Sequence, residues 1–355
     1  MTDMHFVHET QASRVVFGAG KVSDLGREIA RLGSGALVLT TPEQADLMDL
    51  AEEVAPGLVL ARFDGAAMHT PVSVTEAALA KLQDSAADCI VALGGGSTTG
   101  LGKALALRTG LPIVAVPTTY AGSEMTPILG ETRDGRKTTL RDAKVLPRTV
   151  IYDPALTLSL PPIVSSMSGL NAMAHAVEAL YAPDATPVNS LMAQEGVRLF
   201  ARALPVIAAS PSDAPARADA LVAAWLCGTC LGRTTMGLHH KLAHVLGGTF
   251  DLPHAATHSV LLPHVTAYNA DAAPDAMACL SRALGADDPA RALHDLAAAL
   301  GVPTDLASIG MPQDGLPEAT RQVFEQAYAN PREIDPDAIG RLLRRAFAGD
   351  APSRD

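Results

Sequence analysis

Near residue 155 the chain changes from alternating strand and helix signals to helix alone, and few architectures accommodate that division. Before it, short β-branched and apolar runs alternate with helical stretches: GALVLTT, LVLARFDG, CIVALGGGS, PIVAVPTT and TVIYDP are each bounded by Gly, Pro or polar turn residues. That pattern implies a parallel sheet with crossover helices. The opening segment HETQASRVVFGAG, ending in Gly18 and Gly20, reads as a hairpin or an edge strand. After residue 155 the strand signals disappear. SLMAQEGVRLFARALPVIAAS, ADALVAAWLCGTCLG and ARALHDLAAALG place apolar residues at spacings of three and four, with Pro or Gly between the stretches. The expectation is a Rossmann-like α/β domain over residues 1–155 and an all-α domain over residues 156–355. Asn330 to Asp337 reads as a loop and Ala348 to Asp355 as a polar tail.

Composition narrows the partners. With 27 basic and 38 acidic side chains the net charge is -11, which disfavours nucleic acid and leaves an anionic ligand in need of local positive charge. No apolar stretch reaches the roughly 20 residues of a membrane helix, and MTDMHFVHETQASR lacks the order of a signal peptide, so a soluble cytoplasmic protein is expected. Cys89, Cys227, Cys230 and Cys279 sit in apolar surroundings; the CxxC formed by Cys227 and Cys230 reads as buried helix rather than a redox pair.

Two clusters carry chemistry. In CIVALGGGSTTGLGKALAL a strand runs into Gly94, Gly95 and Gly96 and then a helix. Backbone N–H groups at Gly95, Gly96 and Ser97 can there approach a pyrophosphate at the helix N-terminus, where a Cβ would block the contact. The element is neither GxGxxG nor GxxxxGKS. The second cluster is HHKLAHVLGGTFDLPHAATH, which holds five of the eleven histidines. His240 and His244 are four apart and share a helical face; Gly247-Gly248 and Pro253 permit the chain to turn back and present His254. His239 and His258 read as bystanders. Lys241 puts a cation in the cluster, which favours an anionic substrate over a metal dication. Upstream, Asn171 and His175 lie one helical turn apart in GLNAMAHAVE.

Together these segments resemble the iron-containing alcohol dehydrogenase and dehydroquinate synthase superfamily along nearly the whole chain. The GGGS element is similar to the superfamily's nicotinamide dinucleotide site. PTTYAGSEMTP matches its Pro-Thr-Thr segment, which implies that Thr118, Thr119 and Thr126 bond to cofactor phosphates or ribose. The resemblance also implies that Lys137 contacts the nicotinamide-side ribose, and that Thr157 and Leu160, beyond the junction dipeptide Asp153-Pro154, face the nicotinamide. Where an acidic residue would grip the adenosine 2′-hydroxyl and repel a 2′-phosphate, this chain has Thr40 and Thr41, so NADH and NADPH both stay open. Gly100 stands where many members carry Asp.

The same resemblance bears on the histidines. Relatives hold a divalent cation with an Asp and three histidines; here the set is Asn171, His175, His240 and His254, and an amide offers only a neutral carbonyl. The departure, with the whole HHKL…HAATH segment, is similar to the maleylacetate reductase branch. That resemblance implies NADH- or NADPH-dependent reduction of a carbon–carbon double bond in a small dicarboxylate without a metal, in bacterial breakdown of aromatic rings to 3-oxoadipate, by a homodimer. His240, His244 and His254 with Lys241 are then expected to stabilise an enolate and deliver a proton, and Asn171, His175 and Lys241 to bind substrate. Two other readings stand beside it: a metal-dependent alcohol or lactaldehyde-type dehydrogenase using Asn171 as a carbonyl ligand, and a nucleotide-binding protein without catalysis.

Overall fold

The computed structural model describes residues 8, 13–133, 136–325 and 328–355. It divides into two compact units that part between Leu160 and Pro161. The first holds strands β1 (Arg14–Phe17), β2 (Ala36–Leu39), β3 (Val59–Phe63), β4 (Cys89–Gly94), β5 (Ile113–Pro117), β6 (Ile128–Arg133), β7 (Arg136–Arg141) and β8 (Thr149–Tyr152). Its helices are α1 (Leu25–Leu32), α2 (Leu47–Val54), α3 (Val72–Gln83) and α4 (Gly96–Thr109). Six strands form one parallel sheet in the order β1-β8-β5-β4-β2-β3, as the alternation of apolar runs implies.

Period-two alternation explains why those runs are apolar throughout. Val38, Val91, Leu93, Val114 and Val116 pack on one face with Leu25 and Ile29 of α1 and Met48 and Ala51 of α2. Their neighbours Leu37, Leu39, Ile90, Ala92 and Ile113 pack on the other with Ala78 and Leu82 of α3 and Leu101 and Leu105 of α4. A sheet covered on both faces has no polar side to offer. Strand order reverses between β4 and β2: β2 leads outward to β3, and β4 leads the other way to β5. In open parallel sheets such a reversal opens a crevice at the carboxyl ends of the two strands.

β1 is an edge strand paired with β8, not half of a hairpin. The antiparallel pair β6 and β7 has no counterpart among the strands expected from sequence, although the Asp134-Gly135 dipeptide between them is a strong hairpin signal. Leu156 packs on the sheet's core and Thr157 bonds within its own turn, which keeps residues 154–160 with the sheet.

The second unit contains α5 (Pro162–Leu180), α6 (Pro187–Ala209), α7 (Ala214–Arg233), α8 (Leu238–Phe250), α9 (His254–Asn269), α10 (Pro274–Leu284), α11 (Pro289–Ala299), α12 (Leu316–Gln322) and α13 (Pro336–Ala348). Starts are written locally: Thr186, Asp213, Asp288 and Asp335 each accept an N–H from the following turn, with Pro at the first or second helical position. Each cap contributes about 1 kcal/mol. The loop expected over Asn330 to Asp337 therefore ends at the cap Asp335.

α5 is surrounded by α6, α7 and α9 and is buried along most of its length. Cys227 is buried on α7, its Sγ 2.6 Å from where a Cβ on Gly196 would sit, and burial drives its pKa well up. The CxxC is core packing, as expected. The polar tail is tied down, since Arg332 donates to the Arg354 carbonyl and Arg354 pairs with Asp271. No helix among the described residues is long and apolar enough to cross a membrane.

Candidate active site

Asn171, His175 and Glu178 lie at i, i+4 and i+7 on α5 and so share one face. Glu178 is buried and sits at the start of α8. One carboxylate oxygen accepts the N–H of His239 at 2.7 Å, and the other accepts Nδ1–H of His240 at 2.5 Å. A single carboxylate thereby caps a helix N-terminus and fixes an imidazole. Burial raises the pKa of Glu178, but the charge and hydrogen bond of His240, with His239, outweigh it and hold the carboxyl below its usual range.

Six histidine rings form one connected cluster. His240 Nε2 lies 3.0 Å from His175 Nδ1, and His239 Nε2 lies 2.8 Å from His258 Nδ1. The ring of His258 is 5.1 Å from that of His240, 6.0 Å from that of His175 and 4.4 Å from that of His254, while His244 stands 6.3 Å from His240. His175, His239, His240 and His258 are buried, His254 is half-buried and His244 is exposed. The structure thus has a buried inner group and an open rim. Lys241, half-buried, is three residues from His244 and shares its side of α8.

His239 and His258 are not bystanders in position: His258 is the hub of the cluster. Burial, then the neighbouring His254 and His239, drives the pKa of His258 well down. Burial likewise pushes His239 down to about 3, with Glu178 opposing. Both are neutral near pH 7. The turn that presents His254 also differs from expectation. Gly247 and Gly248 lie inside α8; the chain reverses at Asp251, in the left-handed region at φ 54, and Pro253 leads into α9, whose first residue is His254.

Because Glu178 takes Nδ1–H, the state of His240 sets the direction of the next bond. Neutral His240 has a lone pair on Nε2, so His175 donates Nδ1–H to it. Protonated His240 donates from Nε2, and His175 then carries its own proton on Nε2. Glu178, His240 and His175 form one hydrogen-bonded row.

In the first unit, the glycine turn occupies the crevice. Gly94 has φ +154, which a side chain rarely adopts, and a Cβ on Gly95 would lie 2.9 Å from Thr119 Cγ2. No side chain caps α4, so the amides of its first turn, Gly96 and Ser97 among them, face the crevice. Thr119 is half-buried against this turn.

Several other residues expected at a cofactor have hydroxyls engaged or enclosed by the fold. Thr126 is buried, and its hydroxyl meets Lys103 Nζ at 2.9 Å and the Ser123 carbonyl at 3.0 Å. The hydroxyl of Thr157 closes its own turn on the Pro154 carbonyl at 2.8 Å. Thr40 is enclosed, because the end of β2 turns its hydroxyl into the core, whereas Thr41 is half-buried and Leu160 likewise. The side chain of Lys137 lies outside the described residues. Asp153 accepts N–H bonds from Gly20, Val22 and Ala155 and is structural.

Lys103 of α4, which ends the run GGGSTTGLGK, is assigned no role by the sequence. Its ammonium donates to the carbonyls of Ser123, Thr126 and Ile128, fastening that turn to the helix. Burial pulls its pKa down to about 7, opposed by Glu124. At Gly100 a Cβ would lie 2.5 Å from Thr70 Oγ1, so threonine fills the space a larger residue would need. His69 and Thr70 both have positive φ, at 62 and 47, and Thr132 N–H bonds to the Thr70 carbonyl.

The comparisons with known proteins agree with this arrangement. Residues 12–154 match the model of the iron-containing alcohol dehydrogenases, and residues 165–347 match that of the C-terminal part of the Fe-containing alcohol dehydrogenase family. The chain belongs to the iron-containing alcohol dehydrogenase family. Within it, the chain is 54% identical to a maleylacetate reductase of Sphingobium indicum over 98% of its own length and 99% of the relative's. It is also 54% identical to one of Pseudomonas knackmussii, over 99% of its length and 100% of the relative's. The crystal structure of a maleylacetate reductase from Agrobacterium tumefaciens superposes with a TM-score of 0.95 at 51% identity, covering 98% of this chain and 100% of that one.

The family's name implies a cation, and the donors of this chain fit one poorly. Asn171 is 5% exposed and its Oδ1, enclosed and unpartnered, is a neutral oxygen. The carboxylate of the cluster, Glu178, binds the opposite edge of the His240 ring from His175. His175 Nδ1 and His240 Nε2 face each other at hydrogen-bond distance. Among the described residues no three His, Cys, Asp or Glu side chains are grouped to hold a metal ion.

Proposed function

We propose that this chain is a maleylacetate reductase: it transfers hydride from NADH or NADPH to the carbon–carbon double bond of maleylacetate and yields 3-oxoadipate, with no metal in the reaction. The observation that carries the reading is identity of 54% to a curated maleylacetate reductase across 98% of the chain. The histidine row on α5 and α8 supports it chemically. Homodimeric assembly, a cytoplasmic setting and a place in aromatic-ring breakdown belong to the same reading, as the family resemblance implies.

The chemistry asks for little that a metal would supply. Maleylacetate carries an alkene conjugated to a ketone, so hydride arriving at the carbon β to that ketone pushes an electron pair through the π system onto the ketone oxygen. A donor N–H within about 3 Å of that oxygen stabilises the enolate. A proton then reaches the adjacent carbon, completing addition of hydride plus proton across the double bond. Histidine suits both tasks near neutral pH.

His240, His244 and His254 share enolate stabilisation and protonation. Glu178 holds His240 in the tautomer whose Nε2 faces His175, and a proton arriving on His240 makes Nε2–H of His175 available by the reversal described above. The rim formed by the Lys241 ammonium and His244 receives substrate carboxylates, and the Asn171 amide bonds to substrate or holds His175. The amides after Gly95, with Thr119, take the cofactor phosphates; Thr118, Thr126 and Lys103 shape that turn. Thr41, Lys137, Thr157 and Leu160 keep their expected places along the dinucleotide, Thr157 through its backbone.

The test is maleylacetate-dependent oxidation of NADH and of NADPH by purified protein treated with EDTA, with metal content measured in the same sample. Turnover at substoichiometric metal is expected. Activity that returns only with added Fe(II) or Zn(II) would overturn the metal-free mechanism, and no turnover under either condition would overturn the substrate.

A further inference from the structure

The crevice between β4 and β2 contains a side chain to which the family resemblance assigns nothing. Gln44 ends the short 3-10 turn Pro42–Gln44 that follows β2. Its carboxamide reaches across the carboxyl end of β4 to the end of β5: Nε2 is 3.1 Å from Thr118 Oγ1, and Thr118 Oγ1 is 3.3 Å from Oε1. The same Oε1 lies 3.1 Å from where a Cβ on Gly94 would sit. Gln44 therefore spans three neighbouring strand ends, on the floor of the switch-point crevice.

A second, independent feature marks this floor as a ligand surface. Thr98, in the first turn of α4, is 0% exposed, and its hydroxyl has no partner. It lies 2.5 Å from the same Cβ position on Gly94. The open amides of α4, an unpartnered hydroxyl and a carboxamide thus adjoin one glycine. Buried polar atoms without partners are uncommon, and one such hydroxyl beside an uncapped helix start is what a phosphate-bearing ligand completes.

The chemistry of Gln44 then sets what the site accepts. A carboxamide offers two N–H donors and one acceptor and carries no charge. It bonds to a ribose hydroxyl or a phosphate oxygen, and it does not repel a 2′-phosphate as a carboxylate at the end of β2 would. Thr41 in the same loop is equally neutral; Glu43 is exposed.

We propose that Gln44 is a specificity-determining residue: its carboxamide contacts the ADP half of the dinucleotide at the end of β2 and admits NADH and NADPH alike. This deepens the reading given under Proposed function and rests on it. Thr118 is the resting partner of the carboxamide, and the contact with cofactor replaces or shares that bond.

The experiment compares native protein with Gln44→Glu and Gln44→Ala. KM for NADH and for NADPH is measured with maleylacetate, and Kd for ADP-ribose and 2′-phospho-ADP-ribose is measured by titration calorimetry, which needs no turnover. For the native chain the two Kd values are expected within tenfold of each other. Gln44→Glu should weaken 2′-phospho-ADP-ribose at least tenfold more than ADP-ribose, with the KM ratio moving in parallel, and Gln44→Ala should weaken both to a similar extent. If Gln44→Glu leaves the ratio of the two Kd values within twofold of native, or if Gln44→Ala binds both ligands as native does, the proposal is overturned. Unfolding curves on both variants identify a loss that comes from misfolding, which would depress both ligands together and leave the ratio in Gln44→Glu as the deciding quantity. A native chain that binds both ADP-riboses but does not reduce maleylacetate would sink the substrate reading while leaving Gln44 supported.

Discussion

The crevice and the histidine cluster reach polarity by opposite routes. At the crevice the working groups are main-chain amides, exposed because Gly94 and Gly95 remove side chains from the end of β4. In the cluster the proposed working groups are side chains from α5, α8 and α9, and the imidazoles of His175, His239, His240 and His258 are each held by another side chain. A main-chain site is damaged by adding atoms, whereas a side-chain site is damaged by changing one atom that orients another. The difference predicts where each is fragile.

The largest effect is expected from Glu178→Gln. The amide can still cap α8 through its oxygen, but its NH2 then faces Nδ1 of His240, which must surrender its proton there and carry it on Nε2. Protonation chemistry should fall by about 100-fold or more in kcat, with KM for NADH little changed. A loss under threefold in steady-state kinetics would mean that the orientation of His240 is immaterial.

Gly95→Ala strikes the other region. Its Cβ would lie 2.9 Å from Thr119 Cγ2 and would intrude on the phosphate side. KM for NADH should rise by about tenfold, on the order of 1.4 kcal/mol, with kcat less affected; an unchanged KM would remove the main-chain phosphate site from the account.

Acid stability is the smallest effect and separates the cluster from an unrelated histidine. Burial, then His294 and Arg345, pushes His264 on α9 down to about 4, while His239 falls to about 3. A histidine depressed in the folded state binds fewer protons folded than unfolded. Its contribution is therefore complete above the ordinary value of 6.5 and is lost as pH falls from there toward 4 for His264 and 3 for His239. Thermal unfolding should show a Tm lower by a few degrees at about pH 5 than at about pH 7.5, and His264→Asn should flatten part of that slope without altering activity at neutral pH. A native Tm independent of pH across this window would show that these histidines are not neutral in the fold.

Much of this was legible in the sequence, for reasons that differ by region. Strands β2, β4, β5 and β8 were readable because a sheet covered on both faces writes itself as unbroken apolar runs, whereas the edge strand β3 is interrupted by Arg62 and was read from its remaining apolar residues. The glycine turn was readable because only glycine tolerates that approach. His240 and His244 share a helix, so their spacing carried information, and Glu178 stands at a helical spacing from His175 that could have drawn notice. The pairing of His239 with His258 could not be read, because it depends on how α8 docks against α9 after the left-handed turn at Asp251. The same holds for Gln44, whose side chain meets β5 only once the strands are ordered. The inward turn of Thr40 and Thr126 was not readable either: their types suit phosphate, but the local chain turns both hydroxyls inward.

The interlock of Thr70 with Gly100 couples two positions that are far apart in the chain. Thr70 can stand where it does only beside a residue without a side chain, and the hairpin bond to its carbonyl keeps it there. Single substitutions at Gly100 therefore start from a collision, and a larger residue becomes tolerable only after the Thr70 hydroxyl has moved. The two positions should therefore behave epistatically: a bulkier residue at Gly100 is harmful by itself and is relieved by a second change at Thr70.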